Sequence, residues 1–83
     1  MPVNSKMPSH QTIDATGLAC PLPLLKLKQA LHNMGAGEQV VLMASDANSL
    51  IDIKRFCEIA GHSLEIIRQE NQLFEFLIKK KNS

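Results

Sequence analysis

The sequence predicts a two-layer α/β sandwich in the order β-α-β-α-β-β, with both helices on one sheet face and the other face open. Three observations carry that prediction. Two stretches, 24–34 and 50–60, repeat apolar residues at helical spacing. Between them lies the near-continuous apolar run Val40-Val41-Leu42-Met43-Ala44, which suits a strand well covered by neighbours, as in parallel pairing after a helical crossover. The chain then closes with two alternating segments joined by a short polar connection. Right-handed crossovers put both helices on one face when successive strands are added in one direction.

The 83 residues suffice for one domain with a small core. We expect a flexible arm over residues 1–9, a single domain over 10–80 and a basic fray over 81–83. The hydrophobic fraction of 45% and charged fraction of 20% are ordinary for a globular protein. Nine basic residues against eight acidic ones give a net charge of +1, too little to argue for nucleic acid or a membrane surface. No stretch approaches the roughly 18 apolar residues of a spanning helix, and the polar start is no signal peptide, so a cytoplasmic chain is expected.

The first strand is expected over His10–Ala15, ending at the Thr16-Gly17 turn signal. Helix 1 is expected to begin at the Cys20-Pro21 step, with Pro21 in the first position, where a missing N–H costs nothing, and Pro23 still inside the first turn. Leu24, Leu27, Leu31 and Met34 form its buried stripe with Ala30 beside them, and Gly35 or Gly37 ends it. Leu22 falls off that stripe and is expected to stand exposed, as a docking contact or as an ordinary surface leucine. Asp46, Asn48 and Ser49 supply capping side chains for helix 2, whose buried face carries Leu50, Ile53, Phe56, Cys57 and Ala60 and which stops at Gly61. Ser63–Glu70 alternates around Leu64, Ile66 and Arg68. Leu73–Lys79 places Phe74, Phe76 and Ile78 on one face, and Glu70-Asn71-Gln72 suits a hairpin.

Two cysteines could form a staple. However, Cys57 lies about 12 Å along helix 2 from its start, whereas Cys20 opens helix 1, so no internal disulfide is expected. Cys57 on a core face is expected to be a structural thiol. Cys20 is the chemically committed one. A helix N-terminus favours a thiolate, and such cysteines titrate at about 3.5–7.5. Pro21 and Pro23 remove two donors, leaving mainly the Leu22 and Leu24 amides, so the expected lowering is modest and the prolines act as a stiff mount holding the sulfur outward. A fixed, exposed sulfur suits a carrier that is attacked and attacks in turn. The alternative is a small residue that merely caps the helix. Asp46 and Asp52 are weaker candidates, read as helix capping and first-turn charge.

The run Asp14-Ala15-Thr16-Gly17-Leu18-Ala19-Cys20-Pro21-Leu22-Pro23 closely resembles the Cys-Pro-x-Pro signature of the TusA/SirA family of sulfur-carrier proteins. The resemblance extends from about Thr12 to Lys80 and includes Asn33-Met34, Gly37-Glu38, an Asp46-centred turn, Asp52-Ile53, Phe56-Cys57 and Gly61-His62. It implies a mixed four-stranded sheet. It also implies that Cys20 accepts a sulfane sulfur as a transient persulfide, typically from a cysteine desulfurase, and relays it to an acceptor protein, as a sulfurtransferase-type relay rather than a classical turnover enzyme. Gly17, Pro21 and Pro23 would be the scaffold of the motif, and Leu18, Ala19 and Leu22 the docking candidates. In the best-known branch the sulfur ends in tRNA 2-thiouridine; others feed molybdenum-cofactor enzymes or sulfur oxidation. The tRNA-thiolation branch commonly has Arg before the cysteine and Glu between the prolines, where this chain has Ala19 and Leu22.

The competing class is an RNA-binding or regulatory module using the open sheet and Lys79–Lys81. The absence of Trp and Tyr, and three phenylalanines on expected core faces, argue against direct nucleic-acid binding. His10, His32 and His62 match no metal-ligand spacing with the cysteines, and no cofactor loop is present, so neither metal nor resident cofactor is expected.

Overall fold

The computed structural model describes residues 10–81; the expected arm over 1–9 and the last two residues of the expected fray lie outside the described residues. The element order is β1 (His10–Ala15), α1 (Leu22–His32), β2 (Gln39–Ala44), α2 (Ala47–Ala60), β3 (Ser63–Glu70) and β4 (Leu73–Lys79). The predicted sandwich is the observed one. The four strands form one mixed sheet in the order β1-β2-β4-β3. β1 and β2 are parallel, and β4 is antiparallel to both β2 and β3. β3 therefore runs parallel to β2 one place away, and β4 folds back into the gap between them.

Alternation decides which side of each strand meets the helices. Val40, Leu42 and Ala44 of β2 and Phe74, Phe76 and Ile78 of β4 are buried on one face and sit opposite one another in register. Leu27 and Leu31 of α1, Ile53 and Cys57 of α2, and Met34 beyond α1 close the core from the helix side. The expected stripes thus meet the expected strand faces.

Three local expectations are corrected. α1 begins at Leu22, not Pro21; Pro21 is its N-cap and Pro23 its second residue, buried against the core. The chain makes a turn first, with the Leu22 amide donating to the Ala19 carbonyl at 2.8 Å. α1 also ends earlier than either glycine, at His32 with Asn33 as cap, because the Asn33 and Met34 amides fold back onto Ala30 and Leu31. The ammonium of Lys80 then donates to the Leu31 and Met34 carbonyls at 2.7 and 2.6 Å, a cation on the negative end of the helix. Finally, β3 bulges at Ile67, so Arg68 leaves the Leu64–Ile66 face and pairs with Glu75. Arg68 Nε lies 3.8 Å from that carboxylate, and the strand edge is left solvated and charged.

Other turns behave as expected. Gly61 caps α2 in the left-handed region at φ 85°, and Asn71-Gln72 turns the β3–β4 hairpin with both φ values positive. Among the described residues no helix is long and apolar enough to cross a membrane.

Candidate functional site

β1 and β2 are parallel, so the chain leaves both at the same end of the sheet and enters α1 and α2 side by side. That end is where the Cys-Pro-x-Pro loop lies. Asp14 opens it by accepting from the Thr16 amide and hydroxyl at 3.0 and 2.6 Å. Gly17 follows at φ 82°, and its amide donates to Ser45 Oγ at 2.8 Å. A side chain there would meet nothing within 4 Å, so glycine is required by backbone conformation rather than by space. The expectation that Gly17 permits the turn agrees with this geometry.

Cys20 precedes α1 by two residues and joins Pro21 through a cis peptide bond. Its amide donates to Asp46 Oδ2 at 2.8 Å, while Asp46 Oδ1 accepts from the Asn48 amide at 2.9 Å. One carboxylate thus caps α2 and anchors the cysteine loop. Both N–H groups hold the Asp46 carboxyl below the usual carboxylate range, the Cys20 amide most strongly. Capping is the role expected of Asp46; the second half of its work is new.

Asp52 departs further from expectation. It lies in the second turn of α2, not the first, and its Oδ2 accepts a hydrogen bond from the Cys20 thiol. The Cys20 thiol is consequently pushed up to about 11, by that hydrogen bond first, then by lost hydration and by the charges of Asp52 and Asp46. The expected lowering is therefore reversed. The Leu22 amide is bonded to Ala19, the prolines supply no donors, and one carboxylate accepts from the thiol while a second holds the Cys20 amide. Nor does the sulfur simply point outward: Cys20 is half-buried and turned onto α2. Cys57 is a free, buried thiol, as expected.

Asp52 also forms one wall of a cleft of about 310 Å³ between the helices, completed by Leu24, Lys28, Arg55, Phe56 and Ile59. Lys28 Nζ sits 5.3 Å above the Phe56 ring, whose other neighbour is His62 at 5.6 Å between centroids. Of the docking candidates, Ala19 and Leu22 are exposed, whereas Leu18 packs partly against the core. Leu25, Ile51 and Ile59 are exposed apolar residues of the same helical layer that the sequence reading did not single out.

None of the three phenylalanines lies on the open sheet face. Phe74 and Phe76 are buried on the helix side, and Phe56 belongs to α2. Of the three terminal lysines, Lys80 is committed to α1, and the Lys81 amide donates to His62 Nδ1 at 3.0 Å. No specific feature favours an RNA-binding role. Among the described residues no three His, Cys, Asp or Glu side chains are grouped to hold a metal ion.

Comparison with known proteins agrees with this architecture. Residues 11–80 match the family model described as Sulfurtransferase TusA. The chain is 40% identical over 70 residues to the sulfur carrier protein TusA of Allochromatium vinosum, covering 84% of this chain and 92% of that one. It is 38% identical over 69 residues to the TusA sulfur carrier of Pseudomonas putida, covering 83% and 86%. A SirA-like protein from Desulfitobacterium hafniense has a crystal structure that superposes with a TM-score of 0.77 at 30% identity, covering 87% of this chain and 99% of that one. The match spans nearly all of the described fold and includes the whole Cys20 loop, and on that basis the chain belongs to the TusA family.

Proposed function

We propose that this protein is a sulfur carrier whose Cys20 takes up a sulfane sulfur from a cysteine desulfurase and hands it to an acceptor protein, with tRNA 2-thiouridine as the end use. Family membership supports carriage of sulfur. One observation carries the choice of residue: of the chain's two cysteines, Cys57 is 2% exposed and packed in the core, while Cys20 reaches solvent in the loop between β1 and α1.

The step balances without an external oxidant. Cys20 Sγ, deprotonated, attacks the outer sulfur of the donor's persulfide. A Cys20 S–S bond forms, the donor's S–S bond breaks, and the departing donor thiolate takes up the proton that Cys20 released. The sulfane sulfur keeps its oxidation state, and the reverse step on an acceptor thiol discharges the carrier. No resident cofactor is required, because the cargo is the transient persulfide itself. Gly17, Pro21 and Pro23 fix the loop, Ala19 and Leu22 border the sulfur as partner contacts, and Leu18 buttresses them from the core. The relay is placed in the cytoplasm, where both thiols stay reduced.

Incubation with a cysteine desulfurase and free cysteine, followed by intact-mass measurement, tests this. The wild type should gain the mass of one sulfur atom, as should Cys57→Ser, and Cys20→Ser should gain none. An unmodified wild type, or a Cys20→Ser variant that still charges, overturns the proposal.

A further inference from the structure

The mechanism above needs Cys20 as a thiolate, and the structure surrounds it with groups that oppose one. Asp52, from α2, accepts a hydrogen bond from the Cys20 thiol, and Asp46, from the β2–α2 junction, accepts one from the Cys20 amide. Lys28, from α1, and Arg55, from α2, line the cleft with Asp52, but Lys28 is seated over Phe56. Among the described residues the ion pairs within 4 Å are those of Arg68, and Asp52 takes part in neither. No ion pair within 4 Å thus neutralises the Asp52 carboxylate among the described residues, and its charge acts on the sulfur it touches.

We propose that Asp52 determines which donors can load this protein. Its carboxylate holds Cys20 as the protonated thiol in the free protein, so loading from small persulfides is slow, and a protein donor that presents a cationic side chain to Asp52 frees the sulfur. This inference rests on Cys20 being the sulfur-bearing thiol. The physical logic is local: a cation beside Asp52 removes the charge that destabilises the thiolate. The raised Cys20 titration agrees with it. A group arranged in this way protects a carrier from alkylation and adventitious oxidation, which follow thiolate character and exposure.

The test uses a Cys57→Ser background, in which Cys20 is the remaining thiol, and follows iodoacetamide alkylation against pH. The background protein should label with a midpoint near 11. Asp52→Asn keeps a hydrogen-bond acceptor but loses the charge, and its midpoint should fall by about one unit or more. Each unit raises the thiolate fraction tenfold while intrinsic nucleophilicity falls, so labelling at neutral pH should quicken about threefold per unit. Asp52→Glu should retain a high midpoint. A midpoint unmoved in Asp52→Asn, or slower labelling, which would make Asp52 a proton-accepting base, overturns the proposal. Loading followed by intact mass gives a second readout. Asp52→Asn should gain on glutathione persulfide and gain less on a cysteine desulfurase, whose own cation replaces the effect. Equal gains on both overturn the part assigned to the donor. Alkylation needs no sulfur donor, so its outcome is separable from failure of sulfur carriage itself.

Discussion

Cys20 and Cys57 both titrate near 11, and they reach that value by different physics. Cys57 is raised by burial alone: it packs among Ile53, Phe76 and the rest of the core, and a thiolate there would lose its hydration with nothing in return. Cys20 stands in the loop at the end of the sheet and is raised first by a hydrogen bond to one carboxylate, then by lost hydration, then by the charge of two. The difference decides what each thiol can be used for. A value set by burial changes only when the core opens. A value set by a neighbouring charge changes when another charge arrives, which is what a docking partner can bring. Equal numbers therefore mark an inert thiol in one place and a switchable one in the other.

The comparison can be broken most forcefully from the core side. Ile78 is fully buried, in register with Val40 and Leu64, at the end of the sheet away from Ala44 and Ser45 where the cysteine loop attaches. Ile78→Ala should cost about 2–5 kcal/mol, read from urea unfolding, through lost burial and the cavity left behind. In a Cys20→Ser background, labelling of Cys57 should quicken about 30-fold or more, because it proceeds through opening of the core and each 1.4 kcal/mol is a factor of about ten. In a Cys57→Ser background the Cys20 midpoint should stay where it was. A Cys57 rate indifferent to Ile78→Ala would mean that something other than the core protects it.

The two thiols also differ in how far the sequence exposes their surroundings. Cys57 is legible because its neighbours are local: Ile53 one turn earlier and Gly61 just after it place it on the buried stripe of a helix whose ends are marked. The exposure of Leu22 and the inward row Phe74, Phe76 and Ile78 are legible for the same reason, being matters of 3.6- and 2-residue periods. The environment of Cys20 is built from Asp46 and Asp52, 26 and 32 residues away, and no local period reports on that. A topological signal is available: parallel β1 and β2 start α1 and α2 at the same end of the sheet, so an acid in the first two turns of α2 is a candidate neighbour for a cysteine opening α1. Treating the cysteine as a helix N-cap hid it, since the structure spends the Leu22 amide on Ala19 and starts the helix two residues later. The insertion of β4 between β2 and β3 and the capping of α1 by Lys80 are likewise products of tertiary assembly.

Asp46 is where the two regions join, and its removal should give a smaller effect on each. Asp46→Ala strips the N-cap of α2, a loss of about 0.5–2 kcal/mol. It also frees the Cys20 amide and removes the more distant of the two charges. Urea unfolding should show a cost near 1 kcal/mol, and the Cys20 alkylation midpoint should move down by less than it does in Asp52→Asn, because the sulfur bonds to Asp52 and only the amide bonds to Asp46. A larger shift from Asp46 than from Asp52 would reverse the ranking of the two carboxylates.

The buried end of the comparison is tested by stability at alkaline pH. The folded-state titration of Cys57 lies above its ordinary value of 9.0, so its contribution is complete below about 9. Above that, the unfolded chain releases the Cys57 proton while the folded chain still holds it, and rising pH favours unfolding until the folded thiol also ionises near 11. Cys20 has the same sign, so the measurement belongs in a Cys20→Ser background. Urea midpoints there should decline between pH 9 and 11, and the decline should be shallower in the same background carrying Cys57→Ala, which has no proton to give up. Because Cys57→Ala also leaves a small void, the two series should be offset at pH 7; the slope carries the information. Equal slopes would mean that the thiol is not held in the low-dielectric core, and the contrast between a thiol raised by burial and one raised by charge would fail at its buried end.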